Sequence, residues 1–340
     1  MKSMVIAIGG NALVHCCEKE STKQQFLKAH KVAKQIVELA RKGYRIVIMH
    51  GNGPQVGFQL LLSEAASGLP RRSLDVCDAC TQGETGYLLQ QALNSELRQA
   101  GLAIPVVTVV TQCLVSLNDP AMSRPTKPVG PFYSQAEAEE CKRRYDWTIV
   151  MDAERGYRRV VPSPRPIEII ELEVIRELFD AGALVIACGG GGIPVAWKGE
   201  DLVGVEAVID KDLSSSLLAS QLETDLFLIG TDTDCVYVDY KKASQQALHE
   251  TDTMTLERHL RVGQFAAGSM GPKIEAALEF VRGGGSEAVI GSCDDLCAAL
   301  DGIAGTHVTL AREEHFPELP VRPPTRSGLM PVELKIKGRV

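Results

Sequence analysis

Apolar runs of strand length alternate with helical periodicity over the first fifty residues. Residues 4–8 are apolar throughout, and residues 45–49 repeat this pattern after one basic residue. Between them, apolar residues recur at the three- and four-residue spacing of one helix face: Ala29, Val32, Ala33, Ile36, Val37 and Ala40. The pattern predicts a β-α-β unit in which Gly43 ends the helix.

The same alternation returns further along the chain. Apolar runs at residues 106–110, 184–187 and 226–229 predict more strands. Strands that are apolar on every residue are typical of parallel sheets buried on both faces. We therefore predict an α/β fold with a mostly parallel central sheet covered by helices.

A Pro-rich and charged segment interrupts this rhythm between about residues 115 and 167, and we interpret it as an inserted subdomain. Ser134 and Glu137 form the capping box of a predicted short helix. Two β-like runs follow at residues 148–151 and 158–161, around a turn at residues 152–156. Residues 311–340 lose periodicity, so we expect a C-terminal extension that wraps the surface or frays.

Charge and composition restrict the partners. The formal net charge of -7 among 340 residues argues against a nucleic-acid partner, which would normally leave a basic patch. No apolar run reaches the roughly 20 residues of a membrane span, and the N-terminus has no signal-peptide layout, so we expect a cytoplasmic protein with no membrane partner. The ten cysteines are expected to be reduced thiols, and their spacing does not favour a metal site.

Glycine-rich turns follow several predicted strands, and they suggest a ligand site. They lie at residues 9–11, 51–53, 189–192 and at Gly230. In an open α/β sheet, ligands bind beyond the carboxyl ends of the strands, so these turns should meet at one crevice. Glycine lets the backbone approach an anion there, although a single Gly-Gly is more often only a tight turn.

Residues 51–57, Gly-Asn-Gly-Pro-Gln-Val-Gly, also resemble a dinucleotide fingerprint, which would indicate an oxidoreductase. Two details weaken this alternative. Pro54 removes an N–H where a pyrophosphate should bind, and the next acidic residue, Asp75, ends no obvious second strand. The chain has no Gly-x-x-x-x-Gly-Lys-Ser/Thr segment, which excludes a P-loop kinase.

Three lysines stand in unusual local sequence. Lys127 lies between prolines in Pro-Thr-Lys-Pro, Lys211 lies between two aspartates, and Lys273 follows a proline at a predicted helix start. Taken singly, each would more often be a solvated surface lysine. Together they suit phosphoryl transfer, in which positive groups neutralise charge on the transferred group.

Eight segments stand out together, in a fixed order along the chain: Gly9 to Leu13, His50 to Gly57, Thr81 to Gly83, Pro125 to Tyr133, Arg158 to Pro164, Gly189 to Val195, Glu206 to Asp212 and Gly268 to Glu275. In order and spacing they resemble the carbamate kinases of the amino-acid kinase superfamily, over roughly residues 4 to 310. The resemblance implies a three-layer αβα sandwich with a small protruding subdomain. It also implies reversible phosphoryl transfer between ATP and carbamate, with Mg²⁺ accompanying ATP or ADP, in a homodimer.

The resemblance further implies two lobes. Residues 1–212 would bind carbamate or carbamoyl phosphate, and residues 213–310 the nucleotide. The implied catalytic residues are Lys127, Lys211, Asp212 and Lys273, with Lys127 supplied by the subdomain. The implied substrate-binding residues are Gly9, Gly10, Asn11, Gly51, Asn52, Gly53, Gly190 and Gly191. The nucleotide would meet Gly230, Tyr237 and Met270, together with Lys211 and Lys273.

A carbamate oxygen is already anionic near neutral pH, so we predict that no His or Glu acts as general base and that His15 and His50 serve structure or binding. The sequence departs from the carbamate kinase pattern at residues 239–243, at Thr85 and in the tail. Three hypotheses stay open at this point: an active carbamate kinase, an oxidoreductase, and a catalytically weak relative that senses carbamoyl phosphate or a nucleotide.

Overall fold

A central eight-stranded sheet organises the computed structural model, which describes residues 1–9, 13, 21–66, 68–151, 156–266 and 268–311. The strands are β1 (Ser3–Ile8), β2 (Arg45–His50), β3 (Val106–Thr108), β4 (Gln112–Leu114), β5 (Lys127–Tyr133), β6 (Ile149–Met151), β7 (Tyr157–Val161), β8 (Glu168–Ile169), β9 (Leu184–Ile186), β10 (Ile193–Lys198), β11 (Asp201–Gly204), β12 (Leu226–Thr231), β13 (Val236–Val238), β14 (Gln246–Leu248), β15 (Glu250–Asp252), β16 (Glu287–Ser292) and β17 (Thr306–Thr309). The helices are α1 (Thr22–Arg41), α2 (Gly53–Ala65), α3 (Leu74–Gln99), α4 (Gln135–Tyr145), α5 (Leu172–Asp180), α6 (Lys211–Gln221), α7 (Thr253–Arg261), α8 (Met270–Arg282) and α9 (Leu296–Leu300).

The strand order of the central sheet is β15-β17-β16-β12-β1-β2-β9-β3. Every neighbouring pair is parallel except β16 with β17. The sheet is therefore mostly parallel, as the sequence pattern predicts.

Both faces of this sheet are buried under helices. Alternate residues of β1 point to opposite faces: Val5 and Ala7 join a core with α5, α6, α7 and α8, while Met4, Ile6 and Ile8 join a core with α1, α3 and α9. All six residues of β1 are buried, which explains its unbroken apolar run. The predicted three-layer αβα sandwich is confirmed.

The predicted strands differ from the observed ones mainly at the sheet edge. The run at residues 106–110 forms only the short β3, whose residues are half-buried, and Val110 is 53% exposed. Because β3 is the outermost strand, only one side of it has a hydrogen-bonding neighbour. The apolar run alone did not distinguish this edge strand from a central one.

The inserted segment builds a sheet of its own. The strands that lead into and out of it, β4 and β8, pair antiparallel, with Leu114 opposite Glu168. Between them β5, β7 and β6 form a three-stranded sheet beside α4. The predicted capping box of Ser134 and Glu137 and both β-like runs are confirmed.

The predicted turn at residues 152–156 lies largely outside the described residues. Strand β5 contains two prolines and escaped prediction, since proline usually argues against a strand, but it is an edge strand where proline is tolerated.

Residues 1–310 form one compact unit. The division into lobes at residue 212 and the role of the extension stay predictions, and residues 312–340 lie outside the described part. Of the helices described, none has both the length and the apolar character that a membrane crossing requires. The eight cysteines in the described ranges are free thiols.

Candidate active site

The predicted glycine turns meet at the carboxyl ends of adjacent central strands. Strand β1 lies between β12 and β2. A Cβ on Gly9, just after β1, would lie 3.5 Å from the carbonyl oxygen of Gly230 in β12. On the other side, the Gly51 N–H donates to the Ile8 carbonyl at 2.9 Å. These three turns therefore share one edge, whereas the predicted Gly10 and Asn11 lie outside the described residues.

Two of the predicted lysines converge on one buried carboxylate. Lys273 Nζ lies 2.8 Å from Asp212 Oδ2, and Lys211 Nζ contacts Asp212 Oδ1. The side chain of Asp212 is 5% exposed, and those of Lys211 and Lys273 are 12% and 13% exposed. None of these lysines is the solvated surface residue that its sequence alone would suggest most often.

The third lysine joins the same cluster through a second carboxylate. Lys127 Nζ, delivered by β5 of the inserted segment, donates to Asp210 Oδ2 at 2.7 Å. Asp210 is the N-cap of α6, and its other oxygen accepts the Asp212 N–H at 3.0 Å. Asp210 was not among the predicted site residues, although the sequence placed carboxylates on both sides of Lys211.

Burial and charge act against each other in this cluster. Burial opposes ionisation of Asp212, but the ammonium groups of Lys211 and Lys273 outweigh it and lower the pKa of Asp212 to about 2. Burial lowers the pKa of Lys211, and the nearby Lys273 lowers it further against the attraction of Asp212. For Lys273 the attraction of Asp212 overcomes burial, so its pKa is raised.

With three ammonium groups and two carboxylates, the cluster carries a net charge of +1 in a chain whose formal charge is -7. This is the local positive site that an anionic substrate of an acidic protein requires.

Helix α3 supplies residues that sequence reasoning missed. Asn52, which follows β2, donates from Nδ2 to Thr81 Oγ1 at 2.8 Å and to Asp78 Oδ1. Gln82 Nε2 donates to the carbonyls of Thr111 (3.0 Å) and Gly189 (2.9 Å). Thr81 and Gln82 lie in a recognised motif, but no local signal marked Asp78.

The turn after β9 is built for close approach. Residues Gly189–Gly191 form a single 3-10 turn, and Gly190 has a φ of +73°. A Cβ on Gly190 would overlap the side-chain amide of Asn52. A Cβ on Gly191 would come within 2.6 Å of the Ile209 carbonyl, just before Asp210. The glycine turn thus connects Asn52 with the lysine cluster through backbone packing.

His50 is fully enclosed beside these groups. Burial lowers its pKa to about 4, so the ring is neutral at pH 7. Its Nδ1 lies 3.3 Å from the Gly51 carbonyl oxygen. A neutral, buried ring next to the glycine turns is consistent with the structural or binding role predicted for it.

The residues implied for the nucleotide are only partly brought together. Gly230 lies near the carboxyl end of β12, at the sheet edge that carries the glycine turns. Met270 begins α8, whose first turn carries Lys273. Tyr237 lies instead on the separate β13–β14 pair, where its hydroxyl donates to Asp234 at 3.0 Å and its ring lies 6.0 Å from that of Tyr240. Its assignment to an adenine pocket stays a prediction.

Comparison with known proteins gives a consistent result. The amino acid kinase family profile matches residues 2–292. The carbamate kinase of Thermococcus kodakarensis is 46% identical over 312 residues, which cover 91% of this chain and 99% of the relative. That of Pyrococcus furiosus is 45% identical over 310 residues, with 90% and 99% covered. The structure of Giardia lamblia carbamate kinase bound to AMP-PNP superposes with a TM-score of 0.86 at 41% identity, covering 91% and 99% of the two chains.

Proposed function

We propose that this chain, which belongs to the amino acid kinase family, is a carbamate kinase that transfers a phosphoryl group reversibly between ATP and carbamate. The observation that carries the proposal is the cluster beside the glycine turns, in which the largely buried Lys211 and Lys273 meet the partly exposed Lys127. Glycine backbone and ammonium groups together match a phosphoryl group in transfer. A dinucleotide-dependent oxidoreductase has no support from the relatives.

In the direction that forms ATP, a β-phosphate oxygen of ADP attacks the phosphorus of carbamoyl phosphate. The bond from phosphorus to the carbamoyl oxygen breaks, and its electron pair stays on carbamate. Carbamate then takes up a proton from water as it breaks down to ammonia and CO₂. The reacting oxygens exchange no proton, so the chemistry needs no general base, and rate comes from positioning and charge neutralisation.

We assign Lys211 and Lys273 to the phosphates of the nucleotide and Lys127 to the transferred group. Asp212 holds the first two apart at fixed positions, since each ammonium group contacts a different oxygen of its carboxylate. In the glycine turns at Gly51–Gly53 and Gly189–Gly191, the N–H groups of Asn52, Gly53 and Gly190 would donate to the acceptor side, since those of Gly51 and Gly191 already donate to Ile8 and Cys188. Gly9, Gly10 and Asn11 complete this assignment by resemblance.

Mg²⁺ enters this proposal as part of the MgADP or MgATP substrate. In the described ranges, no group of three or more His, Cys, Asp or Glu side chains could hold a metal ion. Asp210 and Asp212 are already paired with lysines. The phosphate oxygens and water suit Mg²⁺, which often keeps several water ligands in such complexes.

A coupled assay tests the function directly. Purified protein receives carbamoyl phosphate and MgADP, and ATP formation is followed. ATP formation supports the kinase, while binding of either ligand without turnover, across nucleotides, favours a sensor. A cytoplasmic location and a homodimer remain part of the proposal, as the sequence resemblance implies, and sedimentation of the purified protein would check the dimer.

Lys211→Ala tests the assigned residues. We expect turnover to fall by roughly three decades, because about 4 kcal/mol of charge stabilisation in the transition state is lost. Lys242→Ala is the matched control, since Lys242 pairs with Asp239 at the surface and its side chain is 68% exposed. Near-normal turnover of Lys211→Ala, with an unchanged circular dichroism spectrum, would refute the assignment.

A further inference from the structure

The side-chain amide of Asn52 is held in one orientation. Both of its hydrogen bonds to described residues start from Nδ2, and both end on α3, at Asp78 and Thr81. Its Oδ1 accepts no hydrogen bond from the described part of the chain. The amide plane packs on the Gly190 backbone, where a Cβ would overlap it, so the side chain cannot swing away in that direction.

Asp78 decides which end of the amide faces α3. An ionised carboxylate only accepts hydrogen bonds, so above its pKa of about 7 the Asp78 carboxylate requires the NH₂ end of Asn52 on its side. Thr81 adds to this preference, because its hydroxyl donates to the Asp78 carbonyl at 2.8 Å and leaves a lone pair for Nδ2. Asp78 and Thr81 are 8% and 0% exposed, so water does not readily replace either acceptor.

The consequence is an acceptor oxygen on the side of the amide away from α3, at the sheet edge that carries the glycine turns. A neutral amide oxygen cannot accept from the anionic oxygens of a phosphate or carboxylate. It needs an N–H or O–H donor on the ligand. In carbamate and carbamoyl phosphate, the donor next to the reacting oxygen is the amino group.

We propose that Asp78 is a positioning residue: it fixes the Asn52 amide so that Oδ1 accepts a hydrogen bond from the amino group of the carbamoyl moiety. This inference rests on the proposed function and deepens it, because it names the group that selects carbamate over an acid of the same shape. Acetyl phosphate, which has a methyl group in place of the amino group, cannot donate to Asn52 Oδ1.

The test compares carbamoyl phosphate with acetyl phosphate in the coupled assay at pH 8, where the Asp78 carboxyl is ionised. Where acetyl phosphate turns over too slowly, its inhibition constant against carbamoyl phosphate is used instead. The variant is Asp78→Asn, which keeps the size of the side chain but adds a donor. Asn52 can then turn its NH₂ end toward the substrate. We expect the preference for carbamoyl phosphate, as a ratio of kcat/KM values, to fall about tenfold.

Thr81→Val is a second variant with the same shape as the native residue. It removes the other acceptor of Nδ2, so the preference should fall in the same direction by a smaller factor. Glu84→Gln is the matched control, because it makes the same carboxylate-to-amide change on an exposed part of α3 and should leave the preference unchanged.

The outcomes distinguish a failure of this inference from a failure of the proposed function. If the wild type forms no ATP from carbamoyl phosphate, the proposed function fails. If the wild type is active but Asp78→Asn and Thr81→Val lose equal factors for both phosphates, Asp78 has only a structural role and the inference is overturned. An unchanged preference in both variants overturns it as well. A reduced preference in both, with the control unchanged, supports it.

Discussion

Asp78 is a single residue at which stability and the proposed function oppose each other. Burial raises the pKa of its carboxyl to about 7, the Asn52 hydrogen bond opposes that rise, and the negative charge of Asp75, one turn earlier in α3, adds to it. An unfolded chain would ionise the same carboxyl near 3.8. Ionisation of Asp78 at neutral and alkaline pH therefore lowers the free energy of unfolding of the native protein.

The sign of this effect gives a prediction. A carboxyl whose pKa is raised by folding costs stability as pH rises from about 4 to about 7, and the cost is complete above that range. Asp78→Asn removes the ionisable group, so it should raise Tm relative to the wild type at pH 8 and raise it much less at pH 4.5. The rise of the Asp78 pKa from 3.8 to about 7 corresponds to a loss of about 4 kcal/mol in the free energy of unfolding at pH 8, as an upper bound.

Thermal unfolding of both proteins at the two pH values checks this prediction. Glu84→Gln, on the exposed side of α3, should show the same small difference from the wild type at either pH. If the Tm of Asp78→Asn fell by a similar amount at both pH values, burial of the ionised Asp78 carboxyl would not be what lowers the stability of the wild type.

Sequence reasoning identified the three lysines and Asp212, but not Asp210 or Asp78. Lys127, Lys211 and Lys273 each stood in conspicuous surroundings, and the structure gathers them. Asp78 had no such signal, because its importance comes from Asn52, which lies 26 positions earlier in the chain and meets it only after α2 packs on α3. Contacts between helices are not encoded by spacing within either helix.

At the scale of elements, the turn after β9 is packed so closely that none of its three glycines has room for a side chain. Gly189 packs on the His50 ring, Gly190 on the Asn52 amide and Gly191 on the Ile209 carbonyl. The turn is also held by the Gln82 amide through the Gly189 carbonyl at 2.9 Å. One short turn thereby sets the distance between Asn52 and the start of α6.

We predict that Gly190→Ala lowers kcat/KM for carbamoyl phosphate by about a hundredfold or more, because the new Cβ displaces Asn52. Gly199→Ala is the matched control. Both glycines have positive φ, +73° and +67°, so both changes cost about 1 kcal/mol of backbone strain. A Cβ on Gly199, in the β10–β11 turn, would meet nothing within 4 Å.

Steady-state kinetics and thermal unfolding of the two variants separate the causes. A loss of activity common to both would assign the effect to backbone strain and not to Asn52. Normal kinetics in Gly190→Ala would mean that Asn52 can move without consequence, which contradicts the role inferred for Asn52 and Asp78 but not the proposed function.

Elements with a strong local pattern were predictable, and those defined by their neighbours were not. The helix face of α1 and the apolar runs of β1 and β2 needed only periodicity. The short β3 and the proline-containing β5 owe their form to edge positions, which depend on strand order. Strand order is a property of the complete sheet and leaves no trace in a local window.

At the scale of the molecule, the site is assembled from distant parts of the chain. Lys127 comes from the inserted segment, Asp210 and Lys211 from the start of α6, and Lys273 from the start of α8. A parallel sheet brings the carboxyl ends of its strands to one edge, which is why the convergence of the glycine turns could be predicted before the fold was seen. The contact partners within that edge required the structure.

The extension offers a prediction about the complete chain. The described sheet ends with β17, which pairs with both β15 and β16, and the matched relatives align with 90 to 91% of this chain while 99% of their own length is covered. We therefore expect a chain ending at Ala311 to keep Tm within about 2 °C and kcat/KM within about twofold of the full-length protein.

A chain ending at Gly305 provides the contrast, because it loses β17. In β17, the buried Val308 belongs to the core beneath α8. Thr306 of the same strand is also buried, and its hydroxyl oxygen accepts the Val236 N–H at 2.8 Å. Removing a paired strand with such contacts should abolish cooperative unfolding or lower Tm steeply. If the chain ending at Ala311 kept its Tm but lost activity, the extension would have a part in catalysis that the fold of residues 1–310 does not account for.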